Sequence, residues 1–204
     1  MARNKVVFVD VDTQADFMLP GGKLYVPGAE KLLPTLQRLR DFAAQHAIPV
    51  LSSTDAHSTD DAEFRDWPAH CVRQTPGQLK VPETLFSNYL VIPRERQTPL
   101  ANEELSRYGQ LIVEKNQLDL FTSPQAENLV SRLDAEQYVV YGVATEFCVR
   151  LVALGLLQRG RCVVLLTDAS QGIDAAGVER TLQELTAAGA VLDTTENLLA
   201  ATAA

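Results

Sequence analysis

The chain has 204 residues, 46% apolar and 22% charged, enough for a single globular domain with a sizeable core. Eighteen basic against twenty-six acidic side chains leave a formal charge of -8, which disfavours nucleic acid or anionic membrane as partner and favours a small neutral molecule. No apolar run approaches membrane-spanning length, and too few residues precede the first apolar run for a secretory signal, so the reading is a cytosolic protein.

Six segments read as strands because they are short, rich in branched apolar residues and bounded by polar or turn residues: 5–12, 48–54, 110–114, 137–143, 161–167 and 190–194. Runs such as Val6-Val7-Phe8-Val9 and Val163-Val164-Leu165-Leu166 are apolar throughout, which suits strands buried on both faces of a parallel sheet. Helical periodicity fills the intervals at 29–46, 124–133, 146–159 and 175–188. Ser123 before Pro124 reads as an N-cap with proline at the first helical position, and Gly160 closes the helix holding Leu151 and Leu154. The expected architecture is a three-layer α/β/α domain on a mostly parallel six-stranded sheet, occupying residues 1–204. Residues 55–99, with Pro68, Pro76, Pro82, Pro93 and Pro99, break the rhythm and read as a long functional loop region with short elements. The tail at 200–204 is expected to fray.

Ligands of open parallel sheets sit beyond the carboxyl ends of the strands. Asp12 ends the first strand, Asp55 and His57 follow the second, Lys115 follows the third, and Cys148 lies where the fourth turns into a helix. Free N–H groups and the dipole at that helix start favour a thiolate, Lys115 would lower its pKa further, and the same N–H groups can hold an oxyanion. Asp12 can take the thiol proton and return it to a leaving amine. Taken singly, Cys148 is a small buried hydrophobe, Asp12 a turn residue and Lys115 a solvated charge; only their shared rim speaks for catalysis. Cys162 reads as structural, and Cys71 as structural or as a neighbour of the site. The odd number and wide spacing of the three cysteines argue against a disulfide framework. Asp55, His57, Glu63 and His70 bring carboxylate and imidazole together in a mixture that suits zinc, manganese or ferrous iron. His46 reads as a helix C-terminal residue without chemistry.

Several ordered motifs resemble one family over nearly the whole chain. They are Val9-Asp10-Val11-Asp12-Thr13-Gln14-Ala15-Asp16-Phe17 with Pro20-Gly21-Gly22, Thr54-Asp55-Ala56-His57, Trp67-Pro68-Ala69-His70-Cys71-Val72 with Thr75-Pro76-Gly77, Glu114-Lys115, and Gly142-Val143-Ala144-Thr145-Glu146-Phe147-Cys148-Val149. Together they resemble the cysteine hydrolases that include nicotinamidases, isochorismatases and carbamoylsarcosine amidases, and the Asp-x-His and Trp-Pro-x-His-Cys pieces resemble its metal-binding nicotinamidase branch. The resemblance implies an isochorismatase-like hydrolase fold, with Asp12 as general base, Lys115 as its partner and Cys148 as nucleophile. It further implies an oxyanion hole at the N–H groups of Ala144 and Cys148, and a cis peptide between Val143 and Ala144. Asp55, His57 and His70 would hold one divalent metal, zinc first and manganese or iron as alternatives, with Glu63 at the position of a further ligand. Phe17 and Trp67 match residues flanking a flat aromatic amide, and the family habit suggests a homo-oligomer.

Three departures bear on the substrate. Glu63 stands where many nicotinamidases have histidine, Glu146-Phe147 replaces the usual Asp-His and makes one pocket edge at Phe147 apolar, and the stretch after Lys115 lacks the usual tyrosine and glycines. The expected reaction is hydrolysis of nicotinamide to nicotinate and ammonia through a thioester. Alternatives are an amidase for a carbamoyl or ureido compound, vinyl ether hydrolysis without metal, and a non-catalytic ligand-binding module.

Overall fold

The computed structural model describes residues 4–202. β1 (Asn4–Val11) leads into one helical turn, α1 (Ala15–Met18), and through a 3-10 turn at Ala29–Leu32 into α2 (Leu33–Gln45). β2 (Val50–Asp55) opens the proline-rich stretch, which holds 3-10 turns at Ala62–Arg65, Pro76–Gln78 and Pro82–Thr84 and ends in a short strand, β3 (Tyr89–Ile92). There follow α3 (Asn102–Arg107), β4 (Gln110–Lys115), α4 (Pro124–Leu133) and β5 (Ala135–Val143). The chain continues through α5 (Arg150–Gln158), β6 (Val163–Gln171), α6 (Ala175–Ala187), β7 (Val191–Asp193) and α7 (Thr195–Thr202). The sheet has seven strands in the order β3-β4-β2-β1-β5-β6-β7, every pairing parallel.

The strand beyond the six expected is β3, at the sheet edge. It is four residues long, sits directly before Pro93, and buries only Ile92 fully, so its apolar pattern is too short to stand out from the loop around it. The other strands divide their side chains as alternation dictates. Val7, Val9 and Val11 of β1 and Val163 and Leu165 of β6 join Leu129, Val152, Leu156 and Leu185 from α4, α5 and α6 in one core. Phe8, Val164 and Leu166 join Leu36, Leu39 and Ala43 of α2 and Leu198 of α7 in the other. These are the three layers.

The strand order also sets where a ligand can sit. β1 to β2 steps one way across the sheet, and β4 to β5 returns past β1 to the other side, so a crevice opens above the carboxyl ends of β1 and β5. The helix expected from residue 146 begins there as a π turn, Thr145–Val149, in which the Ala144 carbonyl accepts from both Phe147 N (3.0 Å) and Val149 N (3.2 Å). Ser123 occupies the cap position of α4, but its hydroxyl makes no hydrogen bond, so Pro124 carries that helix start. The tail expected to fray is helical through Ala200 and Ala201, while Ala203 and Ala204 lie outside the described residues. No helix among the described residues is long and apolar enough to cross a membrane.

Candidate active site

Four neighbouring strands, β4, β2, β1 and β5, each deliver one reactive group to a common rim. Asp12, just past β1, takes a left-handed backbone at φ 50°, which aspartate tolerates better than most residues. Its Oδ1 accepts a 2.6 Å hydrogen bond from the Ser53 hydroxyl, and its Oδ2 lies 2.8 Å from Lys115 Nζ. Lys115, last in β4 and paired in register with Asp55, also reaches Asp55 Oδ1 at 2.5 Å and Cys148 Sγ at 3.7 Å. Gly142 lets β5 close on β1: its φ is +123°, and a β carbon there would stand 2.1 Å from the Val11 carbonyl oxygen. The Val143–Ala144 peptide beyond it is cis, where the resemblance places one.

All four groups are buried, and burial decides their protonation. Burial raises the Asp12 carboxyl above its usual value against the pull of Lys115. For Lys115 burial works the other way but is overcome by Asp12 and Asp55, so the ammonium is held well above its ordinary pKa. Burial pushes the Cys148 thiol well up, opposed by Lys115 and reinforced by Asp12 and Asp55. This corrects the expected lowered thiol: the cysteine rests protonated, because the helix start and one ammonium do not outweigh desolvation beside two carboxylates.

The second oxygen of Asp55 faces a different cluster. Asp55 Oδ2 lies 3.7 Å from His57 Nε2 and 3.6 Å from His70 Nε2, and the ligand atoms of these three buried residues all fall within 4.8 Å of one another. Such gaps are too long for hydrogen bonds but close to the roughly 3.4 Å that separates two ligands each about 2.1 Å from one tetrahedral ion. His57 Nε2 is buried with no hydrogen-bond partner among the described residues, and an ion would satisfy it. The outer nitrogen of His70 is held as in metal-bound histidines, with Nδ1 2.7 Å from the Pro68 carbonyl, whereas His57 Nδ1 stands 3.2 Å from Asp61 Oδ2 without making a hydrogen bond to it. Burial resists the Asp55 charge, but Lys115 and then the two imidazoles keep its carboxyl well below the usual range. Glu63, expected as a further ligand, is not in the converging set. It stands half-buried on the cavity wall, its carboxyl raised by burial and then by Asp55.

A family model described as the Isochorismatase domain matches residues 6–197. The chain belongs to the isochorismatase family. The nicotinamidase of Escherichia coli strain K12 is 25% identical over 205 residues, covering 90% of this chain and 92% of that protein. The nicotinamidase/pyrazinamidase of Mycobacterium tuberculosis is 27% identical over 191 residues, covering 89% and 95%. Among solved structures, the pyrazinamidase of Pyrococcus horikoshii in complex with zinc superposes with a TM-score of 0.76 at 27% identity, covering 93% of this chain and 99% of that one.

In this isochorismatase-family chain the rim closes over a narrow cavity of about 30 Å³ lined by Phe17, Leu24, Val26, Trp67, Leu118, Phe147 and Ile173, together with Asp55, Glu63, His70, Ala144 and Cys148. Phe17, Trp67 and Phe147, singled out from sequence, all line this cavity, and Trp67 meets Phe147 edge to face at 5.3 Å. Phe64 packs on the His57 and His70 imidazoles at 5.2 and 5.8 Å and was not anticipated. Neither was the work of Gln14: its Nε2 donates to the carbonyls of Asp55 (2.8 Å) and Gln78 (2.7 Å), and its Oε1 accepts from Asp55 N (2.6 Å). Asp61 and Gln14 are polar residues close in sequence to identified ones, and that proximity is the signal that could have found them.

A further polar network lies beneath the site. Lys80 Nζ is 2.8 Å from Asp10 Oδ2 and 2.7 Å from Thr13 Oγ1, which itself donates to Asp10 Oδ1 at 2.8 Å. It ties the 76–84 loop to the residues flanking Asp12. A wider cleft at the amino ends of β2, β3 and β4, lined by Arg40, Phe86, Tyr108 and Arg132, carries none of the reactive groups.

Proposed function

We propose that the whole chain acts as one hydrolase domain that cleaves a small aromatic carboxamide, nicotinamide first, to the carboxylic acid and ammonia. The observation that carries this reading is the placement of Lys115 Nζ within 2.8 Å of Asp12, 2.5 Å of Asp55 and 3.7 Å of Cys148 Sγ, with Asp55 and Cys148 lining a largely apolar, aromatic-walled cavity. The similarity to nicotinamidases supports the choice of substrate.

In the proposed reaction the amide lies between Phe17, Trp67 and Phe147 with its carbonyl over Cys148. The resting thiol is protonated, so a base is needed at the moment of attack, and the Asp12 carboxylate facing the thiol takes the proton. Sulfur attacks the carbonyl carbon, and the N–H groups of Ala144 and Cys148 receive the developing oxyanion. Lys115 stays charged and balances the growing negative charge. Asp12 returns its proton to the amide nitrogen, the carbon–nitrogen bond breaks and ammonia leaves. Water adds to the thioester as Asp12 takes its proton, the carbon–sulfur bond breaks to release the acid, and Asp12 passes that proton to the departing sulfur, which restores the thiol and the carboxylate.

Asp55, His57 and His70 would hold a divalent ion, zinc by the mixture of one carboxylate and two imidazoles. When bound, it supplies a Lewis acid that can orient water or a heteroaromatic nitrogen beside the cavity.

Ammonia release from nicotinamide, measured beside carbamoyl and ureido compounds, tests the reading. Cys148→Ala is expected to abolish release while circular dichroism stays unchanged. Turnover that survives the substitution, or hydrolysis of ureido compounds but not nicotinamide, overturns the mechanism or the substrate respectively.

A further inference from the structure

The outer wall of the cavity is made by Trp67, Phe147 and Ile173, and the same residues form the inner wall of an open groove that continues past Arg150, Asp174 and Arg180. Trp67 and Phe147 brace each other as an edge-to-face pair. Ile173 is held differently. It lies in the link between β6 and α6 and is 43% exposed, open to both the cavity and the groove. Glu146 sets its place: Oε1 accepts the N–H of both Ile173 and Asp174, each at 2.8 Å. The link is drawn tightly onto that carboxylate, since a β carbon on Gly172 would lie 2.4 Å from Glu146 Oε2. Glu146 belongs to the same π turn as Cys148, so the turn that presents the thiol also fixes the outer wall.

We propose that Ile173, clamped by Glu146, is the specificity-determining partition between the cavity over Cys148 and an outer subsite for the ring substituent of a larger aromatic amide. This rests on the amidase reading and extends it to substrate size. The groove offers a donor for such a substituent. Arg150 is engaged by Glu184 through contacts of 2.5 and 2.7 Å, whereas Arg180 is 72% exposed and its ion-pair partner Asp174 stands at 3.8 Å. A substituent carrying a hydrogen-bond acceptor therefore fits better than a purely aliphatic one. Glu146 is a positioning residue here, acting through the backbone that carries Ile173.

The test compares nicotinamide with nicotinamides bearing a phenoxy group at each free ring carbon, as the ratio of kcat/KM for ammonia release. Ile173→Ala is expected to raise that ratio about tenfold or more for at least one phenoxy amide, the scale at which a pocket reads a few methylene groups. Glu146→Ala should move it the same way by freeing the link, while Glu146→Gln, whose carbonyl still accepts both N–H groups, should keep the wild-type ratio. Trp67 is the only tryptophan in the chain and lines the cavity, so its fluorescence reports binding in a Cys148→Ala background without turnover. There the same shift should appear in the ratio of Kd values. A ratio unmoved by Ile173→Ala in both measurements overturns the partition. If binding shows the shift but no amide is hydrolysed by the unsubstituted enzyme, the amidase reading fails and the partition stands. Absence of binding by any of these amides removes both.

Discussion

Burying a lysine between two carboxylates is costly unless each charge finds its partner, and Lys115 meets that condition with Asp12 at 2.8 Å and Asp55 at 2.5 Å. Lys115→Met would leave both carboxylates buried without a cation. The expected cost is about 3–5 kcal/mol of stability by chemical denaturation. Because Lys115 is the group that pulls the Cys148 thiol down, iodoacetamide labelling of Cys148 at mildly alkaline pH should slow as well. Wild-type stability together with wild-type labelling would show that the lysine does not organise the site. Asp12, Asp55, Lys115 and Cys148 are legible in the sequence because each stands at the countable end of an apolar run, and parallel strands end on one rim. Their protonation is not legible: it depends on burial that no spacing reveals, hence the thiol expected to be low-lying and found raised. Asp61, Gln14 and Ile173 escape for a related reason, since each acts through a contact made where the chain is aperiodic.

At the level of elements, the buried strands could be placed from sequence to within a few residues because both faces are apolar, whereas β3 could not, because four residues with exposed Tyr89 and Val91, set between Pro82 and Pro93 in an aperiodic stretch, look like loop. The helix after β5 shows the opposite case, where the pattern is clear but the backbone at its start departs from it. The π turn at Thr145–Val149 sets Cys148 above the crevice, and it depends on how closely β5 approaches β1 just before it. Gly142→Ala tests that dependence. The added carbon would lie 2.1 Å from the Val11 oxygen and 2.9 Å from Val11 N, both backbone atoms that cannot step aside, and φ +123° is itself unfavourable for alanine. We expect a loss of about 3 kcal/mol or more, with turnover falling further than the folded fraction because the displaced strand carries the thiol. A melting temperature and kcat/KM both at wild-type values would mean that the strand approach is not what sets the turn.

Across the molecule, the two halves of the sheet meet at β1, and the region most dependent on a few contacts is the proline-rich stretch from Ala56 to Tyr89. Its anchors are Asp16, whose Oδ2 accepts from Cys71 N at 2.7 Å, Gln14 and Lys80, and the convergence of His57 and His70 on Asp55 at the carboxyl end of β2. An ion held by those three residues would join this stretch to the central sheet in the folded chain only, and any ligand that binds only the folded state stabilises it. At a free metal concentration one hundred times Kd the gain is about 2.7 kcal/mol, which for a chain of this size corresponds to roughly 5–10 °C in Tm. Zinc-loaded protein stripped with a strong chelator should therefore melt lower by about that interval and recover on readdition of zinc. His70→Ala should melt near the stripped value and show no response to zinc, because its Nε2 faces Asp55 while its other nitrogen is committed to Pro68. A loaded sample with measured stoichiometric zinc whose Tm does not change on stripping would place the ion elsewhere, and a His70→Ala protein that still responds in full would remove that residue from the set.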